Sequence, residues 1–207
     1  MILTPIAPHA LDRVLADFEH ALADAPLEVV VFRRIAASRA AEGGPVARWH
    51  ADAVALADRF AMQPLAEAPQ QAFSWDGRRV RTESEPAVLV HEVAHYQIAA
   101  PARRFLPDFG LGAGPETGRI AIADAARAAD AETREVEEAM ASLLGILWEV
   151  ELGQPAILAF QEQNWLEGAG RAGTAEFFRS TLGRLSTIGL IDADGRPTYA
   201  VRISAEL

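Results

Sequence analysis

A chain of 207 residues with 29 acidic and 19 basic side chains, net charge −10, is long enough to bury one core and too acidic to track a phosphate backbone. It contains no cysteine, which excludes disulfides, thiolate metal ligands and a cysteine nucleophile, and every basic residue is arginine, which excludes lysine bases and Schiff bases. No apolar run approaches the roughly 20 residues of a membrane span, and MILTPIAPHALDRVLADFEH lacks the basic and apolar regions of a signal peptide, so a soluble cytoplasmic protein without nucleic-acid or membrane partners is expected.

Residues 8–24 carry Leu11, Val14, Leu15, Phe18 and Leu22 on one stripe and predict an amphipathic helix. The β-branched run Leu27 to Phe32 reads as a buried strand, and residues 46–62 as a second helix. Gln71–Trp75 and Arg79–Thr82 flank Asp76-Gly77, a hairpin signal. The next helix starts near Ser84 and Pro86 and stops at Pro101. Pro101 to Gly118, rich in Pro and Gly, predicts a long ordered loop or lid forming one wall of a site, anchored by Asp108 pairing with an Arg. Helices follow over 130–152, ended by Gly153, and over 174–188; Asp194-Gly195 then marks a second hairpin before a strand-like Thr198–Ile203. The expected class is α+β: one helix-rich domain, 1–207, with a small sheet, in which residues 85–160 carry the site and 1–80 have no assigned role. A hairpin ahead of a metal-binding helix is the order of zincin-like folds.

His91-Glu92-Val93-Ala94-His95 is the most informative segment. On a helix, the two imidazoles leave one face and can grip a single metal ion with Glu92 beside them. A catalytic metal needs a third ligand, and without Cys it must be Asp, Glu or His. No third His follows at short spacing, so the ligand has to come from elsewhere. In the 130–152 helix, Val136, Met140, Leu143, Leu144 and Leu147 define a buried arc that includes Glu137 at its edge, whereas Glu135, Glu138 and Glu149 point away. A carboxylate on a buried face needs a partner. For Glu137 that partner is the metal, or else an arginine such as Arg103 or Arg104.

HEVAHYQIAAPARRFLPDFG resembles the signature of the elongation factor P hydroxylase family, in which an H-E-x-x-H helix runs into Ile-Ala, Ala-Arg-Arg and Asp-Phe-Gly. Here those positions are Ile98-Ala99, Ala102 to Arg104 and Asp108 to Gly110. EVEEAMASL, Glu135 to Leu143, is similar to the segment whose Val-Glu pair carries the family's third ligand, and that Glu falls on Glu137. The chain departs from the pattern at Tyr96, where the family has Trp, at Gln97, where it has Cys, and at LGAGPETG after Asp-Phe-Gly. The resemblance covers about residues 85–160 and implies hydroxylation of the lysylated lysine of elongation factor P; another protein or peptide substrate stands as the alternative.

Two His and one carboxylate leave positions open on an octahedral metal, the arrangement suited to non-haem Fe(II). On that reading His91, His95 and Glu137 bind the metal, and Glu92 is a base or holds a metal-bound water. Arg103, Arg104, Asp108 and Tyr96 are candidates for substrate binding or for supporting the ligands, with a surface salt-bridge cluster as the plainer role for the two arginines. With Zn(II) and Glu92 as general base the same motif is hydrolytic, giving a metallopeptidase. A third reading is an inactive zincin-like adaptor whose acidic surface recruits a basic partner.

Overall fold

The computed structural model describes residues 6–39, 44–167 and 169–205. Eight α-helices lie among these residues: α1 (Leu11–Ala21), α2 (Pro26–Ala37), α3 (Val46–Arg59), α4 (Pro86–Ile98), α5 (Ile120–Ala125), α6 (Ala131–Glu151), α7 (Ala156–Glu162) and α8 (Ala172–Thr187). The only ladder among them is a two-stranded parallel sheet, β1 (Gln63–Leu65) beside β2 (Arg79–Arg81), with Pro64 opposite Val80. The class is α+β, dominated by helix.

The segment read as a strand, Leu27 to Phe32, is instead the first half of α2. Pro26 presets its first turn, and Val31, Phe32 and Ile35 are fully buried while Val30 is half exposed. That is the spacing of one helix face, and it outweighs the strand preference of three consecutive valines. Phe32 meets Phe18 of α1 at 4.8 Å between ring centroids, and Phe18 also packs against Phe178 of α8 at 5.6 Å and Phe160 of α7 at 5.9 Å. This aromatic cluster joins the helices at both ends of the chain around α6.

The Asp76-Gly77 turn forms: Gly77 takes φ +93°, Asp76 N–H donates to Arg79 O at 3.1 Å, and Trp75 bridges Val80 in antiparallel fashion. Its return strand continues as β2, which pairs in parallel with β1. The α4 helix begins on Pro86 with Glu85, rather than Ser84, as its unbonded cap. The expected C-terminal strand does not form a ladder. Gln97 of α4 takes over as partner, donating to Thr198 O at 2.8 Å and Ala200 O at 2.7 Å, while Arg202 N–H donates to Gln97 O at 2.8 Å. The tail is thereby held along the back of α4.

The α4 and α6 helices cross at close range. Gly145 of α6 lies against the backbone of His91, where an added Cβ would stand 3.3 Å from His91 Cα. Glu138, Ala141, Ser142 and Gly145 recur at the spacing of one helix face, and the small residues on it let α6 approach the metal-motif helix.

Candidate metal centre

The helical reading of His91–His95 places both imidazoles together: Nε2 of His91 and Nε2 of His95 are 3.0 Å apart, with the rings edge to face. Across the α4–α6 crossing, a Glu138 oxygen stands 3.5 Å from His95 Nε2 and 3.9 Å from His91 Nε2. These three are the only described group of His and carboxylate side chains whose donor atoms converge in this way. Donors on one ion at about 2.1 Å stand about 3.0 Å apart at a right angle and about 3.4 Å apart at a tetrahedral one. The His91–His95–Glu138 triangle fits one transition metal.

Glu137, expected as the third ligand, is elsewhere. It is 1 % exposed and ion-paired with Arg103 and, at 2.9 Å, with Arg202 Nη1. The arc drawn from Val136, Met140, Leu143 and Leu147 does place Glu137 on the buried side, and its partner is Arg103, the alternative to a metal. The arc fails for Glu138, because α6 is buried on nearly every side beyond Met140 and apolarity there does not define one face. The informative signal was the small-residue face on which Glu138 lies seven residues before Gly145. Glu149, also read as pointing away, is buried too, and burial together with neighbouring Glu162 pushes its carboxyl up to about 8.

Electrostatically, the triangle has room for one positive charge. Burial and the neighbouring His95 push the His91 imidazole down to about 3. Burial also works against charging His95, but the charge and hydrogen bond of Glu138 outweigh it and hold that imidazole above its ordinary value. Burial would raise Glu138; the His95 charge and hydrogen bond prevail and hold it at about 2. Two imidazole nitrogens and a carboxylate facing one another are stabilised by a proton or a metal cation between them. Nδ1 of His91 is buried without a partner.

Glu92, one residue along α4, also faces the cleft. Burial, reinforced by Asp108 and Glu138 and opposed by His95 and a hydrogen bond with Ser74, pushes it up to about 8. Asp108 and Phe109 both adopt left-handed backbone, with φ of +42° and +56°. Such strain costs about 1–2 kcal/mol per residue and persists only where surroundings enforce it. Asp108 accepts from the Thr117 hydroxyl at 2.5 Å and from Trp75 N–H at 3.3 Å, and burial raises its carboxyl despite those bonds. It does not pair with an arginine, contrary to expectation. Phe109 lies in a stack, 5.6 Å from Trp75 on one side and 5.6 Å from His95 on the other.

Arg103, Arg104 and Tyr96, expected at the substrate or beside the ligands, do not line the cleft. Arg103 is buried and donates to Phe109 O at 3.0 Å as well as to Glu137, so it buttresses the strained turn from behind. Arg104 donates to Tyr96 O at 3.0 Å and to Arg202 O, locking the tail. The Tyr96 ring meets Trp75 edge to face at 5.6 Å.

The cleft over the metal triangle measures about 1020 Å³. The segment from Asp108 to Thr117 forms one wall, as expected, and the α7–α8 connection forms another. Besides Glu92, Asp108 and Glu138 it is lined by Glu85, Glu116, Glu135, Glu162 and Glu167, against a single arginine, Arg171, and the two imidazoles. Comparison with protein-family models, with characterised proteins and with solved structures finds no match.

Proposed function

We propose that this protein is a metal-dependent enzyme acting on a cationic side chain of another protein, with His91, His95 and Glu138 holding the metal on a zincin-like α4 helix. The observation that carries this reading is the convergence of those three donors at the base of an open, acid-lined cleft. Two imidazoles and one carboxylate leave positions free for oxygen chemistry on Fe(II), the ligand set of a hydroxylase. The resemblance of HEVAH…ARR…DFG to the elongation factor P hydroxylase family points the same way, and the lysylated lysine of that factor is the first substrate to test. An acid-lined wall attracts an ammonium group and repels anionic competitors.

The chain's own residues divide the work. Glu92, protonated in neutral solution while the metal is absent, donates or holds a proton beside the ligands. Phe109 fixes the plane of His95, and Arg103 fixes Phe109. Leu111 and Phe109 exclude water on the loop side.

Elemental analysis of anaerobically purified protein, followed by mass spectrometry of lysylated elongation factor P after incubation with Fe(II), air and a two-electron reductant such as ascorbate, which takes the second oxygen atom to water, tests the proposal. Bound iron near one equivalent and a gain of about 16 Da, one oxygen atom, are expected. A second reading is favoured by the position of Glu92 in the cleft: with Zn(II) it becomes the general base of a peptidase. Zinc-dependent cleavage of unfolded proteins, lost in Glu92→Gln with metal retained, replaces the first reading with this one.

A further inference from the structure

The cleft is far larger than one side chain needs, and its α7–α8 end is built differently from the metal end. Trp165, in the turn after α7, is nearly buried, and its Nε1 donates to Ser142 Oγ at 2.7 Å. Ser142 is one turn beyond Glu138 on α6, so their Cβ atoms are about 5–6 Å apart, and both line the cleft. The aromatic turn is therefore tied to the helix face that carries the metal ligand. Phe160, fully buried, stacks on one side of Trp165 at 6.0 Å and 10°; Phe177 of α8 stacks at 5.2 Å and 24°. Three rings form a column that runs from the core to the cleft.

The column ends in an open face. Phe177 remains 50 % exposed in the cleft, while its neighbour Phe178 already supplies the ring that α8 gives to the core. An exposed phenyl at the end of a rigid stack, beside Glu162 and Glu167, costs nothing to preorganise and gains from being covered. We infer that Phe177 is a specificity subsite which seats an apolar side chain, preferably aromatic, of the protein segment whose basic residue is delivered to the metal triangle. The inference rests on the reading of the cleft as a site for a cationic protein side chain. The acidic lining selects the basic residue, and the ring selects its neighbour within a few residues, each of which spans about 3.3 Å in an extended chain.

Fluorescein-labelled hexapeptides with one Lys and one Phe separated by zero to three Gly, and matching peptides with Ala for Phe, are titrated by anisotropy into the full-length protein. The wild type should bind the best Lys/Phe spacing about tenfold more tightly than its Lys/Ala partner, the gain of covering one ring. Phe177→Ala should bind both equally, with unchanged zinc content and a melting temperature lower by about 1–6 °C, the loss of one half-exposed stacked ring. Leu158→Ala, which removes a half-exposed residue of α7 that does not line the cleft, should keep the preference. Equal binding of both peptides by the wild type, or a preference that survives in Phe177→Ala or disappears in Leu158→Ala, overturns the subsite and leaves the acidic cleft standing. If no Lys peptide binds at any spacing, the cationic-substrate reading fails and the subsite falls with it.

Discussion

Glu137 and Glu138 are adjacent on α6 and face opposite fates, so exchanging each for Gln separates fold from function. Glu137 is 1 % exposed and sits between Arg103 and Arg202, the latter itself 2 % exposed. Breaking a buried ion pair from one side costs about 3–5 kcal/mol, because the partner charge is left uncompensated. Both guanidiniums keep other acceptors, Phe109 O for Arg103 and Ile98 O, Ser204 O and Ala205 O for Arg202, which puts Glu137→Gln near the lower end, about 3 kcal/mol. In a chain of this size each kcal/mol moves the melting temperature by about 2–4 °C, so a fall of about 6–12 °C is expected. Glu138 has a 42 % exposed side chain, and its loss should cost less than about 1 kcal/mol. Its consequence is for metal: with two imidazoles left, zinc affinity should drop by two orders of magnitude or so. Urea titration of the metal-free proteins and competition with a chelating indicator measure the two effects. A Glu137→Gln variant as stable as wild type but unable to hold zinc would refute the assignment of Glu138.

Three further outcomes follow from the packing and charge around the site. Phe109→Ala removes the ring stacked on His95 and should weaken zinc binding about tenfold, with Phe109→Tyr restoring it; an unchanged affinity in Phe109→Ala would exclude the positioning role. Gly145→Val forces branched bulk against the His91 backbone, and should cost about 1–3 kcal/mol and disturb zinc binding together, visible as an altered Co(II) absorption spectrum. Glu149, raised from 4.5 to about 8 by burial and Glu162, binds its proton more tightly in the folded chain; its contribution is full below about pH 4.5 and is lost as pH climbs towards 8, at up to about 1.4 kcal/mol per unit. Glu149→Gln should therefore match wild type in urea at pH 4.5 and exceed it by a few kcal/mol at pH 8; a constant difference across that range would contradict the buried-acid assignment.

The sequence discloses the helices that carry their own punctuation. The start of α6 at Asp130 is set by a side chain that accepts from Thr133 N–H at 2.7 Å, and its end by Gly153 at φ +66°. Pro86 and Pro101 bracket α4 in the same way. Short α5 and α7 carry too few residues for a periodic signal, and α2 hides behind its valines. The C-terminal segment has the composition of a strand but no neighbouring strand to pair with; a side-chain amide, Gln97, provides the bonds instead. Nothing local in Thr198–Ile203 announces that.

At the site, the order of legibility follows the range of the interactions. His91 and His95 are four residues apart on one helix, so their meeting is a local fact. The position of the candidate third ligand depends on how deeply α6 settles onto α4, which Gly145 decides by letting the helix reach the His91 backbone. That close approach brings Glu138 to the imidazoles and turns Glu137 towards the tail. One residue of helical phase, about 100°, separates the candidate metal ligand from a structural counter-ion. Both have to be acidic for the arrangement to work: Glu137 neutralises Arg103 and Arg202 behind α4, and Arg103 then holds the Phe109 carbonyl of the turn that stacks on His95. The buried ion cluster and the metal triangle are thus two faces of one support, joined through Phe109.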